Sequence, residues 1–133
     1  MVLKNIVIDT NAIFMSLYNP NGKAGKVLEL ASEEKLQLFS PDSVKIELER
    51  VLKRELKFDE KKTKENIAKL PINWIEKDLY IHLLDKTKVK HKPDKPIEAV
   101  SLLLNCGILS ADEHFKGINK IDIDKLIEET EKE

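Results

Sequence analysis

The sequence predicts an α/β protein: a three-layer α/β/α sandwich with a mainly parallel central sheet. Three observations carry that expectation. Short apolar runs rich in β-branched residues recur along the chain, amphipathic stretches of helical spacing stand between them, and Gly, Pro, Asn or Asp punctuates the boundaries.

Taken in order, Ile6-Val7-Ile8 is an unbroken run with Val2 and Leu3 just upstream, the pattern of a strand buried on both faces. Asp9-Thr10-Asn11 leads into a short apolar helix from Ala12 to Leu17. Asn19-Pro20-Asn21-Gly22 makes a turn, after which Ala24, Val27, Leu28 and Ala31 recur at helical spacing. Leu36 to Phe39 reads as a second strand. Ser40-Pro41-Asp42 supplies a cap residue, a proline for the first helical position and an acid for the dipole, so a helix is expected to open there, with Val44, Leu48, Val51 and Leu52 as its buried stripe. A polar helix follows from Asp59 to Leu70 and is stopped by Pro71. Ile72 to Ile75 is a short third strand, and Lys77 to about Asp85 a helix. Lys86 to Lys92 is a lysine-rich loop. Asp94 to Asn105 forms a helix with Pro96 in its first turn, Gly107 to Ser110 a fourth strand, and Asn119 to Asp122 a fifth. The tail from Ile123 is helical.

Length and composition narrow the function classes. A chain of 133 residues fits a single domain spanning 1–133, and 41% hydrophobic residues suffice for its core. Lys and Glu dominate the 35% of charged residues, while Arg is confined to Arg50 and Arg54 and Gln to Gln37, a composition of thermophile character. The formal net charge of −1 provides no global basic field, so a nucleic-acid ligand requires a local basic face or a bound metal. The single cysteine, Cys106, excludes an intramolecular disulfide. The N-terminal apolar run is too short for a secretory leader, and no stretch approaches the ~18 apolar residues of a membrane span. A soluble, cytoplasmic protein is expected, with no membrane partner.

In open parallel sheets ligands bind at the carboxyl ends of the strands, near the point where strand order reverses. Acids stand there. Asp9 follows the first strand and Asp112 the fourth, Asp94 opens the helix that leads into the fourth, and Glu47 lies in the second turn of the helix after the second. Converging carboxylates repel one another unless a cation neutralises them. An all-oxygen set suits Mg²⁺ or Mn²⁺, which activate water and orient a phosphodiester. Each acid alone also has a structural reading: Asp9 and Asp94 as helix caps, Glu47 as a solvated helix residue, Asp112 as a turn residue.

The constellation resembles the PIN-domain family, which includes VapC-type toxin ribonucleases. Ile6-Val7-Ile8-Asp9-Thr10-Asn11 resembles its opening block, Ser40-Pro41 through Glu47-Leu48 its second, Asp94-Lys95-Pro96-Ile97-Glu98-Ala99 its third, and Gly107 through Ser110-Ala111-Asp112 to Phe115 its last. The resemblance implies that Asp9, Glu47, Asp94 and Asp112 are catalytic, metal-holding acids for Mg²⁺ or Mn²⁺. It implies that Asn11 and Ser110 are polar supports, and that the chain forms a homodimer. Some relatives carry a further Asp three residues before the third-block acid, where this chain has His91.

Rival chemistries lack residues. A haloacid-dehalogenase phosphatase needs a second Asp where Asn11 stands, and a P-loop needs Ser or Thr where Val27 follows Gly25-Lys26. His82, His91 and His114 show no zinc spacing. For RNA contact, Lys88, Lys90 and Lys92 alternate along the loop before Asp94. Lys53, Arg54, Lys57, Lys61, Lys62 and Lys64 crowd one helical hairpin, although interspersed acids also allow a merely solvated face. The expected function is a metal-dependent endoribonuclease; the alternatives are a non-catalytic RNA-binding or partner-docking module on the same fold, and a toxin ribonuclease held silent by a cognate antitoxin.

Overall fold

The computed structural model describes residues 3–110, 115 and 117–132. Among these residues the sheet has four strands: β1 (Lys4–Ile8), β2 (Leu36–Pro41), β3 (Ile72–Ile75) and β4 (Gly107–Leu109). All pairings are parallel, in the order β3-β2-β1-β4. β1 is therefore flanked on both sides, which is why Ile6, Val7 and Ile8 are all fully buried and the strand reads as an unbroken apolar run. Its register sets Ile6 against Leu38 and against Gly107. A side chain at Gly107 would run into Ile121, so the close approach there favours glycine.

Among the described residues, seven α-helices connect and cover the sheet: α1 (Thr10–Tyr18), α2 (Lys23–Ser32), α3 (Asp42–Glu55), α4 (Glu60–Ala68), α5 (Lys77–Tyr80), α6 (Lys95–Leu104) and α7 (Ile123–Glu131). The crossovers from β1 to β2 and from β2 to β3 step the same way along the sheet, whereas that from β3 to β4 steps back across β1. Right-handed crossovers then put α1–α4 on one face and α5–α6 on the other, giving the three-layer sandwich with its parallel sheet. The packing agrees: α1 contacts α2 and α3, α7 rests on α2, and α6 lies across β1 and β2.

Several boundaries differ from the sequence expectation. Ser40 and Pro41 belong to β2 rather than opening a helix; the Ser40 hydroxyl donates to the Ile8 carbonyl (2.7 Å), tying the ends of β2 and β1 together. Asp42, the first residue of α3, accepts instead from the Lys77 amide (3.1 Å) and the Tyr80 hydroxyl (2.6 Å), so it staples α3 to α5. The helix expected from Lys77 to Asp85 is a single α-turn that tightens into a 3-10 helix from Ile81 to Lys86, just past that Tyr80 anchor. The expected fifth strand shrinks to one parallel bridge, Ile108 to Lys120. Asn119 takes φ +50°, which breaks the extended backbone, and Asp122 is already the cap of α7, accepting from the Asp124 and Lys125 amides.

Candidate active site at the carboxyl edge of the sheet

Strand order reverses between β1 and β4, and the crevice at their carboxyl ends is where an open parallel sheet binds ligands. Asp9 is the residue after β1 and Ser110 the residue after β4, and the Ser110 hydroxyl donates to Asp9 Oδ2 across that crevice. The other oxygen, Oδ1, accepts from the Ala12 amide at 2.8 Å, so Asp9 also caps α1. The capping and site readings of Asp9 are thus compatible. One oxygen is used by the helix, and the carboxylate, only 4% exposed, is locked in place at the strand end.

Asp94 stands at the amino end of α6. That helix turns directly into β4, so its start lies at the same carboxyl edge. Asp94 is buried and occupies the cap position, but its side chain makes no capping hydrogen bond; its Oδ2 lies 3.2 Å from His91 Nδ1. His91, where some relatives carry an acid, therefore partners the neighbouring carboxylate.

Glu47 is half-buried in the second turn of α3, flanking Val44 and Leu48 at the rim of the buried stripe, and α3 packs on α1. Asp112 lies outside the described residues. Asn11 is exposed in the first turn of α1, while the hydrogen bonds just given to Asp9 come from Ala12 and Ser110. Among the described residues, no three His, Cys, Asp or Glu side chains come close enough together to hold a metal ion. The donors that do stand at the edge are carboxylate oxygens, which fit a hard divalent cation in kind. A cleft of about 440 Å³ opens beside Ser110, lined in part by Ala12, Met15, Leu109 and Ile123.

The basic groups divide into two sets. In the α3–α4 hairpin, Lys53 and Lys64 both engage Glu60, Arg54 engages Glu55, and Lys62 sits over the Phe58 ring at 4.5 Å. The contacts with Lys53 and Lys64 hold the Glu60 carboxyl below its usual range. Those four cations are used within the hairpin, as the solvated-face reading expects of them, while Lys57 and Lys61 are exposed and have no ion-pair partner among the described residues. Lys88, Lys90 and Lys92 are exposed, and among the described residues none of them has an ion-pair partner. Trp74 is half-buried on β3, with Lys45 Nζ 5.9 Å from its ring centroid. Cys106 is half-buried, and burial pushes its thiol up, away from the reactive thiolate.

Sequence reasoning missed Glu98. It is 3% exposed, and its Oε1 accepts from both the Lys88 amide (2.7 Å) and the Val89 amide (2.9 Å). The signal within reach was an acid at an apolar-spaced position of a helix, four residues after Asp94. The helical period alone cannot tell what such an acid bonds.

Among known proteins, the family model described as PIN domain matches residues 7–131. An uncharacterized protein of Methanocaldococcus jannaschii is 46% identical over 39 residues, which is 29% of this chain and 25% of that protein. The alignment thus spans about a quarter of that relative's length. Among solved structures, the crystal structure of VapBC2 from Rickettsia felis, bound to a DNA fragment from their promoter, includes a chain that superposes with a TM-score of 0.62. It is 19% identical, with 88% of this chain and 96% of that one covered. At that identity the likeness concerns the fold. Among the described residues, no helix is long and apolar enough to cross a membrane.

Proposed function

The chain belongs to the PIN-domain family, and from that membership we propose that it is a metal-dependent ribonuclease serving as the toxin of a toxin–antitoxin pair. The observation that carries the proposal is the Ser110–Asp9 clasp at the switch point between β1 and β4. A buried acid held by a serine and a backbone amide, at the one crevice where this topology binds ligands, is arranged for a site rather than for packing. In this reading Asp9, Glu47, Asp94 and Asp112 hold Mg²⁺ or Mn²⁺, and Asn11 and Ser110 support them. When bound, the ion supplies water activation and neutralises charge on the phosphodiester.

The protein's own groups have separable tasks. Asp9 is fixed by its hydrogen bonds to Ala12 and Ser110, so its carboxylate is aimed in a set direction. Asp94 is presented by the rigid start of α6. Lys88, Lys90 and Lys92 supply phosphate contacts on the approach to Asp94. The toxin role, and with it an antitoxin partner, is supported by the overall likeness to a chain of the VapBC2 assembly. Escape of such a nuclease from control would arrest its host.

A non-catalytic module on the same fold is the second reading. One observation favours it: the lack of a three-ligand cluster among the described residues. A labelled structured RNA incubated with the protein separates the two. Cleavage is expected with Mg²⁺ or Mn²⁺, and its loss with EDTA and in Asp9→Asn, the variant remaining folded. Cleavage that survives both treatments sinks the proposed chemistry; no cleavage under any metal favours the module. Growth arrest on expression, relieved by co-expressing the neighbouring gene's product, tests the toxin role.

A further inference from the structure

Glu98 is a buried carboxylate that the proposed chemistry leaves without a task. Burying a carboxylate is costly unless it is hydrogen-bonded, and here the compensation comes from two consecutive backbone amides of another segment, Lys88 and Val89. That segment is extended at both ends, with ψ 150° at Thr87 and 115° at His91. Val89 is buried, whereas Lys88 and Lys90, its neighbours on either side, are exposed. Exposed Lys92 then opens the 3-10 turn that ends at Asp94.

Asp94 and Glu98 are four residues apart at the start of α6, one turn above the other on the same buried face. Asp94 stands at the carboxyl edge with its Oδ2 beside His91, and Glu98 grips the lysine segment. A single rigid helix thereby registers the lysines to the acid. Unlike Lys53, Arg54 and Lys64 of the hairpin, these lysines have no ion-pair partner among the described residues, so they remain accessible to an outside anion.

We infer that Glu98 is a positioning residue for substrate: its two amide bonds fix Lys88 and Lys90 as phosphate contacts for the RNA strand entering toward Asp94. The inference rests on the ribonuclease reading and deepens it. Glu98→Gln keeps a side-chain oxygen able to accept both amides. Glu98→Met fills the volume with no oxygen at all, and Glu98→Asp keeps the charge but falls short of the amides.

The test measures binding of a fluorescein-labelled single-stranded oligoribonucleotide by anisotropy, in EDTA, across a KCl titration. Wild type, Glu98→Gln, Glu98→Met, Glu98→Asp and Lys88→Gln/Lys90→Gln are compared, and amide exchange at residues 88 and 89 is followed alongside. In Glu98→Met we expect faster exchange at both amides and roughly tenfold weaker binding. Its log affinity against log salt should flatten by up to about 1.4, two single-strand contacts' worth. The double lysine variant should show the same flattening, and Glu98→Gln should stay near wild type. In the metal-loaded protein the loss should fall on KM more than on kcat. An unchanged salt slope in folded Glu98→Met overturns the inference, as do equal losses in Glu98→Gln and Glu98→Met. Should Glu98→Met not fold, Glu98→Asp decides: an intermediate loss of slope supports the inference, and a wild-type slope overturns it. Wild type that binds no RNA at low salt overturns the ribonuclease reading as well, so the two failures are distinguishable.

Discussion

Replacing Ser110 with alanine probes the clasp at the crevice with the least disturbance, because it removes one hydroxyl and no packing volume of consequence. Ser110 is 8% exposed and Asp9 4%, so water does not replace the lost donor freely. A hydrogen bond to a charged group contributes about 1.5–3 kcal/mol. Asp9 keeps the Ala12 amide, which guards against complete loss of its orientation. For a chain between the ~100- and ~150-residue classes, each kcal/mol moves the melting temperature by roughly 3–5 °C, so a drop of about 5–15 °C is expected. Loss of a hydrogen bond that orients a metal ligand lowers activity by about 10–100-fold, and the fall should appear in kcat at saturating Mn²⁺. Trp74, the only tryptophan and half-buried on β3, reports unfolding by fluorescence without a label. Ser110→Thr, which keeps the hydroxyl, should lose much less of both. A Ser110→Ala protein that melts within about 1 °C of wild type and cleaves within a factor of about 2 would refute the clasp as a positioning device.

Three further outcomes are expected. Mn²⁺ at about a hundred times its dissociation constant should stabilise the fold by about 2.7 kcal/mol, and Asp112→Asn should erase most of that gain; an Asp112→Asn melt that still responds fully to Mn²⁺ removes Asp112 from the ligand set. Tyr80→Phe should cost about 1.5–3 kcal/mol at neutral pH by deleting the bond to Asp42. Burial first, and the Asp42 carboxylate second, push the Tyr80 phenol far above its usual range. Because the folded value is raised, this contribution is complete below the unfolded phenol value of about 10 and is lost as pH rises toward the folded one. The stability gap between wild type and Tyr80→Phe should therefore narrow in strongly alkaline urea melts, and a gap that widens above about pH 10 contradicts the assignment. Gly25→Ala should destabilise by at least the ~1–3 kcal/mol typical of overpacking, since its Cβ would fall 2.0 Å from the Pro20 carbonyl oxygen and backbone cannot swing aside; a neutral melt would count against the tight α1–α2 corner.

The sequence was legible where a residue's surroundings follow from the chain's own period. The β-branched run at Ile6-Val7-Ile8 announced a central strand, and Asp9 and Ser110 stand just after strands at the carboxyl edge. It was least legible where a side chain bonds across a long gap. Ser40 has every attribute of a local cap, yet its hydroxyl reaches Ile8, and the helix-starting Asp42 serves Tyr80 instead. Both are decided by tertiary packing that a propensity cannot see. The basic residues were equally ambiguous as letters; only the partners separate Lys53, Lys64 and Arg54 of the hairpin, bound to Glu60 and Glu55, from the loop set. Glu98 was invisible because its partners are backbone amides, which almost every residue carries.

The clasp also has a consequence in time. Asp9 and Ser110 are 101 residues apart in sequence. A ribosome working at about 5–20 residues per second needs roughly 5–20 s to make that stretch, and domains fold as units once their parts emerge. During that interval β1 has no β4 beside it, so the crevice does not exist and, on the ribonuclease reading, the nascent chain is harmless to the messenger and ribosome producing it. Arrested chains ending at residue 106 should cleave nothing under Mn²⁺, whereas chains released after residue 132 should. Cleavage by the shorter chains would show that the β4 side of the crevice is dispensable.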